Sequence, residues 1–297
     1  MRAAARLPPA VKPGDRVGVA ALSSAVDPGR LAAGLAELVR LGFEPVLASN
    51  LERRDRLFAG TEAQRVAGLH ELADDASITA IFFARGGHGA LRILNDLDWR
   101  RLAQHPRAFV GYSDLTPFLA TVVERCGWVA FHGPMVAADL ASGLSGEEAS
   151  SLLGALSGDF PRAFDLTTVE GESDVEGPLS GGCLSLLAAT LGTGHSAELD
   201  DSILFLEDVD EPLYRLDRML TQLRLSGSLT RVQAMIFGSS IVPESVGEWL
   251  DLARDAAPGV VLAHGLSSGH AQPNLTLPLG LRCRVERDRC RLVFAAP

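Results

Sequence analysis

The chain has 297 residues, of which 47% are hydrophobic and 22% charged, and its formal net charge at pH 7 is −10. This composition is typical of a globular protein that is long enough for two domains with a substantial core. The arginines are scattered among a larger number of carboxylates, which repel a phosphate backbone, so we expect no nucleic-acid partner.

The apolar runs of the sequence are short. Residues 79–84 ("TAIFFA") and 259–263 ("GVVLA") have the length of β-strands and fall well below the length of a membrane span. The stretch 1–14 ("MRAAARLPPAVKPG") contains no continuous apolar segment. We therefore expect no membrane partner, no signal peptide and a cytoplasmic location.

Residue types that serve metals and covalent cofactors are sparse. The four cysteines are Cys126, Cys183, Cys283 and Cys290. They form no C-x-x-C pair, and we expect free thiols. His264 and His270 are six positions apart, off a common helix face, and Lys12 is the only lysine. The sequence thus predicts no metal site and leaves little room for Schiff-base chemistry.

Strand and helix patterns alternate through the first half of the chain. The strand patterns are 16–22, 44–49, 79–85 and 107–112, and the helix patterns are 28–42, 61–75, a segment beginning at 90, and 114–127. Such alternation predicts a parallel sheet with helices on its faces. Ligands bind at the carboxyl ends of the strands in such sheets, which is where 84–89 ("ARGGHG") and 111–114 ("GYSD") lie.

The second half has a different organisation. A region rich in Ser, Gly and acidic residues precedes a strand at 202–209, a helix at 212–227 and a hairpin at 281–294. We predict an N-terminal α/β domain, a linker region and a mixed β/α C-terminal domain. Their boundaries are 1–140, 141–174 and 175–297.

The stretch 109–118 ("FVGYSDLTPF") runs from a buried strand into a helix and contains Ser113 at the junction. Serine commonly caps a helix N-terminus by accepting a hydrogen bond from a backbone N–H. The same position also presents a hydroxyl to a crevice, as a nucleophile requires. These ten residues alone favour the capping interpretation and leave the other open.

The stretch 85–92 ("RGGHGALR") has glycines after a strand and before a helix. It does not match the dinucleotide pattern, because Arg92 stands where that pattern requires Gly or Ala. Gly86 and Gly87 permit a sharp turn whose backbone N–H points into the crevice, as an oxyanion hole requires. A tight turn with no ligand is equally consistent.

Acids and histidines of the second half supply further candidates. Glu207 and Asp208 directly follow an apolar strand, and acids at such a position usually belong to a solvated loop. In a cleft, a carboxylate at this position can instead orient an imidazole. We interpret His264 as structural, because it follows an apolar run. His270 lies in a polar, glycine-containing loop, which suits a general base. The order Ser113, Glu207, His270 permits a triad without establishing one.

Six blocks together resemble the serine LD-carboxypeptidases, the murein tetrapeptide carboxypeptidase family. The blocks are "ARGGHGALRIL" (84–94), "FVGYSDLTPFLA" (109–120), "FHGPM" (131–135), "GGCLSLLAATLGT" (181–193), "ILFLEDVDEPLYRLDRMLTQL" (203–223) and "SGHAQPNLTLPLG" (268–280). The resemblance implies Ser113 as nucleophile, Glu207 as triad acid and His270 as base. It also implies an oxyanion hole formed by the backbone N–H groups of Gly87 and Asp114.

The resemblance further implies a flavodoxin-like N-terminal domain with a mainly parallel sheet, a smaller mixed β/α C-terminal domain, a homodimer and no cofactor. If Ser113 is the nucleophile, we expect Asp114 or Thr116 to start the helix in its place.

The sequence departs from the family pattern at two positions. His88 replaces the usual tyrosine and Cys183 the usual asparagine, and both are expected to border the substrate crevice. Arg85 or Arg92 is a candidate for binding a substrate carboxylate, although pairing with local acids is at least as consistent.

The resulting prediction is a serine peptidase that hydrolyses the amide between an L-centre and a C-terminal D-amino acid. By resemblance, its substrate is murein tetrapeptide and its role peptidoglycan recycling. One alternative is a microcin-immunity-type hydrolase of aminoacyl- or peptidyl-nucleotide amides. That branch carries a longer loop with an aromatic platform for the nucleotide base. The only aromatic residues in the inter-domain region of this sequence are Phe160 and Phe164, which favours the peptidase. A second alternative is a non-catalytic peptide-binding relative.

Overall fold

The computed structural model describes residues 5–159, 163–238 and 246–294. In chain order the strands are β1 (Arg16–Ala20), β2 (Glu44–Leu47), β3 (Ile78–Phe83), β4 (Ala108–Gly111), β5 (Ala130–His132), β6 (Ala163–Asp165), β7 (Thr168–Glu170), β8 (Val175–Cys183), β9 (Ile203–Glu207), β10 (Ala234–Gly238), β11 (Val261–Leu266), β12 (Leu277–Leu279), β13 (Arg282–Glu286) and β14 (Arg291–Phe294). The α-helices are α1 (Pro28–Arg40), α2 (Glu62–Asp74), α3 (Trp99–Gln104), α4 (Thr116–Thr121), α5 (Gly146–Ser157), α6 (Leu184–Thr190), α7 (Leu213–Leu225) and α8 (Val246–Ala256).

The first sheet has the order β12-β5-β4-β3-β1-β2. Its neighbours pair in parallel except for β12, which is antiparallel to β5. The order 2-1-3-4-5 of its first five strands is that of flavodoxin-like folds, so this prediction is confirmed. β4 is buried along its whole length, as expected for a central parallel strand.

The second sheet has the order β6-β14-β13-β8-β9-β10-β11-β7. Strands β8 to β11 are parallel to one another, whereas β13, β14, β6 and β7 add antiparallel pairs at the two sides. The predicted mixed β/α organisation of this half is therefore confirmed.

The central strands of the second sheet bury both of their faces. On β9, Ile203 and Phe205 belong to the same hydrophobic cluster as the first sheet. Leu204 and Leu206 point the other way and pack in a cluster with α6, α7 and α8. One continuous core thus connects the two sheets.

The predicted linker region 141–174 contains ordered structure. Ser145 and Glu148 form a capping box at the start of α5. Strands β6 and β7 then add to opposite edges of the second sheet. Phe164 in β6 is buried against Phe294, whereas Phe160 lies outside the described residues.

Candidate active site

Ser113 stands directly beyond the carboxyl end of β4, where the strand turns into a helix. It is the first residue of a 3₁₀ turn, Ser113–Leu115, that continues into α4. Its φ is +60°, in the left-handed region, which costs a non-glycine residue about 1 kcal/mol or more. Such strain is typical of a nucleophile on a sharp strand-to-helix turn.

His270 lies in the loop between β11 and β12 and contacts residues from both sheets. Its Nε2 is 3.1 Å from Ser113 Oγ, and its Nδ1 is 2.5 Å from Oε2 of Glu207. The backbone N–H of His270 also donates to Glu207 Oε2, at 3.2 Å. The structure therefore brings the predicted Ser, His and Glu side chains into one hydrogen-bonded series.

The environment of His270 favours its protonated form. Burial by itself disfavours the imidazolium, but the hydrogen bond to Glu207 and the charges of Glu207, Asp208 and Asp139 outweigh it. The pKa of His270 is consequently raised above its usual value of 6.5. Glu207 is fully buried as the last residue of β9.

Tyr112 and Asp139 support His270 from one side. The edge-on rings of Tyr112 and His270 are 5.0 Å apart, and the Tyr112 hydroxyl donates to Asp139 Oδ1 at 3.2 Å. Burial raises the pKa of both Tyr112 and Asp139. The fully buried His132 packs on the Tyr112 ring, and burial lowers its pKa to about 4, which keeps it neutral. We did not single out these three residues from the sequence, although Tyr112 and His132 lie within the quoted motifs.

The two glycines of the turn after β3 leave space beside Ser113. A Cβ at Gly86 would lie 3.0 Å from Ser113 Cβ and 3.3 Å from the backbone nitrogen of Asp114. Gly87 has a φ of +102°, which glycine adopts without strain. Within the described residues, neither the Gly87 N–H nor the Asp114 N–H donates to a protein acceptor.

The Asp114 carboxylate does not cap a helix. Its Oδ2 accepts hydrogen bonds from Ser23 Oγ at 2.6 Å and from the Ala90 N–H at 2.8 Å. Thr116 Oγ1 accepts instead from the Cys183 N–H at 3.1 Å. α4 begins at Thr116, but neither the 3₁₀ turn nor α4 has a side-chain cap, so neither Asp114 nor Thr116 caps a helix. The side-chain oxygens of Asp114 and Thr116 instead accept hydrogen bonds from donors in distant segments of the chain.

The buried side chain of Arg65 holds the other end of the glycine turn. Its Nη1 donates to the carbonyl of Leu22 and to that of Gly89, the latter at 2.8 Å. Together with the Asp114 bond to Ala90, it ties residues 86–90 to the segment after β1. Arg65 was not predicted from the sequence, because nothing in the pattern of α2 distinguishes it from a surface arginine.

A cavity of about 330 Å³ opens onto Ser113 and His270. Its lining comprises Asp27, Arg30, Arg85, Gly86, Gly87, Tyr112, Ser113, Met135, Ala137, Ala138 and His270. Arg85, one of the two arginines predicted as candidates for binding a substrate carboxylate, therefore lines the cavity. Arg92 is ion-paired with Glu62 and is not part of the lining.

The two positions that depart from the family pattern are not among the residues lining this cavity. His88 is exposed, its N–H donates to Ser24 Oγ, and its ring lies 5.8 Å from that of Phe58. Cys183 is 3% exposed and pairs in register with Glu207 on the neighbouring strand. Burial and the charges of Glu207 and Asp208 raise the pKa of the Cys183 thiol.

The four cysteines are free thiols, as predicted. Within the described ranges, no group of His, Cys, Asp or Glu side chains is arranged to hold a metal ion. None of the helices in the described part of the chain is long and apolar enough to cross a membrane.

Comparison with protein families gives two matches. Residues 17–133 match the LD-carboxypeptidase N-terminal domain, and residues 176–285 match the LD-carboxypeptidase C-terminal domain. The chain belongs to the LD-carboxypeptidase family. The likeness predicted from the sequence blocks is therefore confirmed.

Two relatives of similar length are carboxypeptidases by name. A protein of Bacillus subtilis named probable murein peptide carboxypeptidase is 33% identical, over 97% of this chain and 94% of its own. The murein tetrapeptide carboxypeptidase of Pseudomonas aeruginosa is 36% identical, over 93% of this chain and 94% of its own. Such membership supports a peptidase that acts by hydrolysis.

A solved structure shares the whole architecture. The structure of MccF in complex with glutamyl sulfamoyl guanosine superposes with a TM-score of 0.89, covering 98% of each chain at 22% sequence identity. At this identity the likeness shows the fold. The predicted two-domain α/β architecture is confirmed by it.

Proposed function

We propose that the protein is a serine-type LD-carboxypeptidase in which Ser113, His270 and Glu207 are the catalytic residues. The observation that carries the proposal is the hydrogen-bonded series from Ser113 Oγ through His270 to the buried Glu207. A serine hydroxyl becomes an effective nucleophile when an adjacent base removes its proton. A carboxylate on the far nitrogen of that base fixes its tautomer and stabilises the imidazolium that forms.

In the proposed mechanism, His270 Nε2 accepts the Ser113 proton as Oγ attacks the carbonyl carbon of the scissile amide. His270 then returns that proton to the departing amine, so the C–N bond breaks and an acyl-enzyme remains. Water, deprotonated by His270, attacks the ester and releases the shortened peptide. Glu207 accepts the hydrogen bond from His270 Nδ1–H and so keeps the imidazole oriented.

The tetrahedral intermediate carries negative charge on the former carbonyl oxygen. The N–H groups of Gly87 and Asp114 are the proposed donors to this oxygen. Asp114 directly follows Ser113, Gly87 lines the same cavity as Ser113, and neither N–H has a protein acceptor among the described residues. Loss of one such donor typically slows an acyl transfer by ~10²–10³-fold.

The proposed substrate is murein tetrapeptide, with cleavage between the L-centre of meso-diaminopimelate and the C-terminal D-alanine. The names of the Bacillus and Pseudomonas relatives support this substrate class. We also propose that the protein is cytoplasmic, which cell fractionation tests. We further propose that it is a homodimer, which light scattering of the purified protein tests.

The test is to incubate the purified protein with murein tetrapeptide and, separately, with an aminoacyl-sulfamoyl adenosine. We expect release of D-alanine from the first compound and none in the Ser113→Ala variant. D-alanine release that persists in Ser113→Ala would rule out the nucleophile. Turnover of only the adenosine compound would favour the microcin-immunity activity, and turnover of neither would favour a peptide-binding relative.

A further inference from the structure

Two guanidinium groups line the cavity that contains Ser113. Arg30 belongs to the first turn of α1, and Arg85 follows β3. Asp27 is the one acidic residue in the described lining. With His270 neutral, the cavity wall therefore carries an excess of positive charge, which suits an anionic group on a ligand.

Arg30 is held in a fixed orientation by the main chain. Its Nε donates to the carbonyl of Ala137 at 2.8 Å and its Nη2 to that of Ala138 at 2.7 Å. Asp27 accepts the backbone N–H of Arg30 as the cap of α1, at 2.8 Å, and forms no ion pair with the guanidinium. Neutral carbonyls leave the charge of Arg30 uncompensated, and its Nη1 has no acceptor among the described residues.

Arg85 lies beside the proposed oxyanion donor. Its Nη2 is 3.5 Å from the position that a Cβ on Gly87 would occupy, and its Nη1 makes only a long contact of 3.4 Å with the Ala25 carbonyl. No carboxylate of the described chain forms an ion pair with Arg85. Arg92, seven positions later, differs because Glu62 already neutralises it.

A carboxypeptidase substrate carries its free carboxylate on the residue directly after the scissile amide. Consecutive Cα atoms are only about 3.8 Å apart, so that carboxylate must lie in the same cavity as the attacked carbonyl. The planar guanidinium donates paired hydrogen bonds that match a carboxylate. Pre-orientation of Arg30 reduces the entropy lost on binding.

We propose that Arg30 and Arg85 form the subsite for the α-carboxylate of the leaving D-amino acid. The inference rests on the proposed peptidase function and adds to it the feature that restricts cleavage to the last residue. A peptide whose terminal carboxylate is blocked loses its ionic partners in this subsite.

The experiment compares two substrates, murein tetrapeptide ending in D-alanine and the same peptide ending in D-alaninamide. We expect the wild-type protein to cleave the acid with a kcat/KM about 10- to 100-fold above that of the amide. Arg30→Gln and Arg85→Gln should each lower kcat/KM for the acid by about 10-fold or more, chiefly through KM, and leave the amide almost unchanged. Arg92→Gln is the matched control, because it removes a guanidinium that is outside the cavity lining.

Equal loss on both substrates, or wild-type indifference to the terminal carboxylate, would overturn the subsite. Calorimetric binding of the two peptides to Ser113→Ala, with and without Arg30→Gln, tests it without turnover. Tighter binding of the acid that disappears with Arg30→Gln supports the subsite, even if the wild-type protein releases no D-alanine and the proposed activity fails. Equal binding of acid and amide contradicts the subsite, whatever the activity.

Discussion

Ser113 Oγ and His270 Nε2 lie 3.1 Å apart although 157 positions separate the two residues in the chain. Ser113 follows a strand of the first sheet, and His270 follows a strand of the second. Glu207 ends another strand of the second sheet. The site therefore forms only when both sheets are in place, and its chemistry is sensitive to changes on either side.

The strain at Ser113 predicts an order of stability among inactive variants. Ser113→Ala and Ser113→Gly should both lower D-alanine release by more than ~10⁴-fold, because each removes the nucleophile. Ser113→Gly should nevertheless be more stable than Ser113→Ala by about 1 kcal/mol, since glycine tolerates a φ of +60°. Urea unfolding of the two variants measures the difference. Equal stability, or a less stable glycine variant, would contradict strain at this position.

The raised pKa of His270 predicts the pH dependence of the reaction. His270 acts as a base only when neutral, so kcat/KM should rise with pH and reach half its plateau above pH 6.5. Glu207→Gln removes the charge that most favours the imidazolium. It should therefore move this midpoint to lower pH and reduce the plateau by ~10³–10⁴-fold.

Asp208→Asn is the matched control for Glu207→Gln. Asp208 accepts the backbone N–H groups of Ser185 and Val209, and it acts on His270 through charge alone. A small shift of the midpoint with a nearly unchanged plateau is expected. If both variants moved the profile alike, direct contact with Glu207 would not be the cause.

The glycine turn predicts a position-specific effect of a single methyl group. A Cβ on Gly87 would lie 2.4 Å from Ser24 Oγ, at a φ that already disfavours alanine. Gly87→Ala should displace the proposed oxyanion donor and lower kcat by ~10²-fold or more. Gly143→Ala is the control, because Gly143 has a φ of +79° and no atom near its missing Cβ. It should lose stability to a similar backbone strain and keep its kcat, as activity assays and thermal melts of both variants will show.

The buried carboxylate of Asp114 predicts coupled losses of stability and rate. Asp114→Asn weakens the hydrogen bonds from Ser23 and Ala90 and should cost about 1.5–3 kcal/mol of unfolding free energy. It should also reduce kcat more than KM, because the Ala90 bond holds the turn that contains Gly87. Ser23→Ala, which removes only the other donor, should cost about 1 kcal/mol and leave kcat nearly intact. A stability loss in Asp114→Asn without any change in kcat would show that the turn is positioned by other contacts.

The fold was predictable where the pattern is local. Continuous apolar runs in β3 and β4, with amphipathic helices between them, give a parallel sheet without knowledge of distant contacts. β12 was not predictable in this way. It has three residues, Leu277–Leu279, and exists because it pairs with β5, nearly 150 positions earlier.

The site shows the same division between local and distant signals. The predicted triad residues are polar, lie at strand ends or in a loop, and belong to short sequence motifs that resemble those of the family. These residues are Ser113, Glu207 and His270. Arg30 looks like a surface residue of an amphipathic helix. Its orientation depends on the Ala137 carbonyl, 107 positions away, which no local pattern reveals.

The short strand β12 also limits how the protein can be divided. It follows the His270 loop closely and pairs with β5, so the chain of the second half completes the sheet of the first. A fragment ending near residue 140 would leave the β5 edge without its partner, and an unpaired strand edge promotes aggregation. The segments matched at 17–133 and 176–285 therefore share one sheet, and we expect each to need the other in order to fold. Expressed separately, neither should give a soluble, assembled half that can be mixed back into an active enzyme.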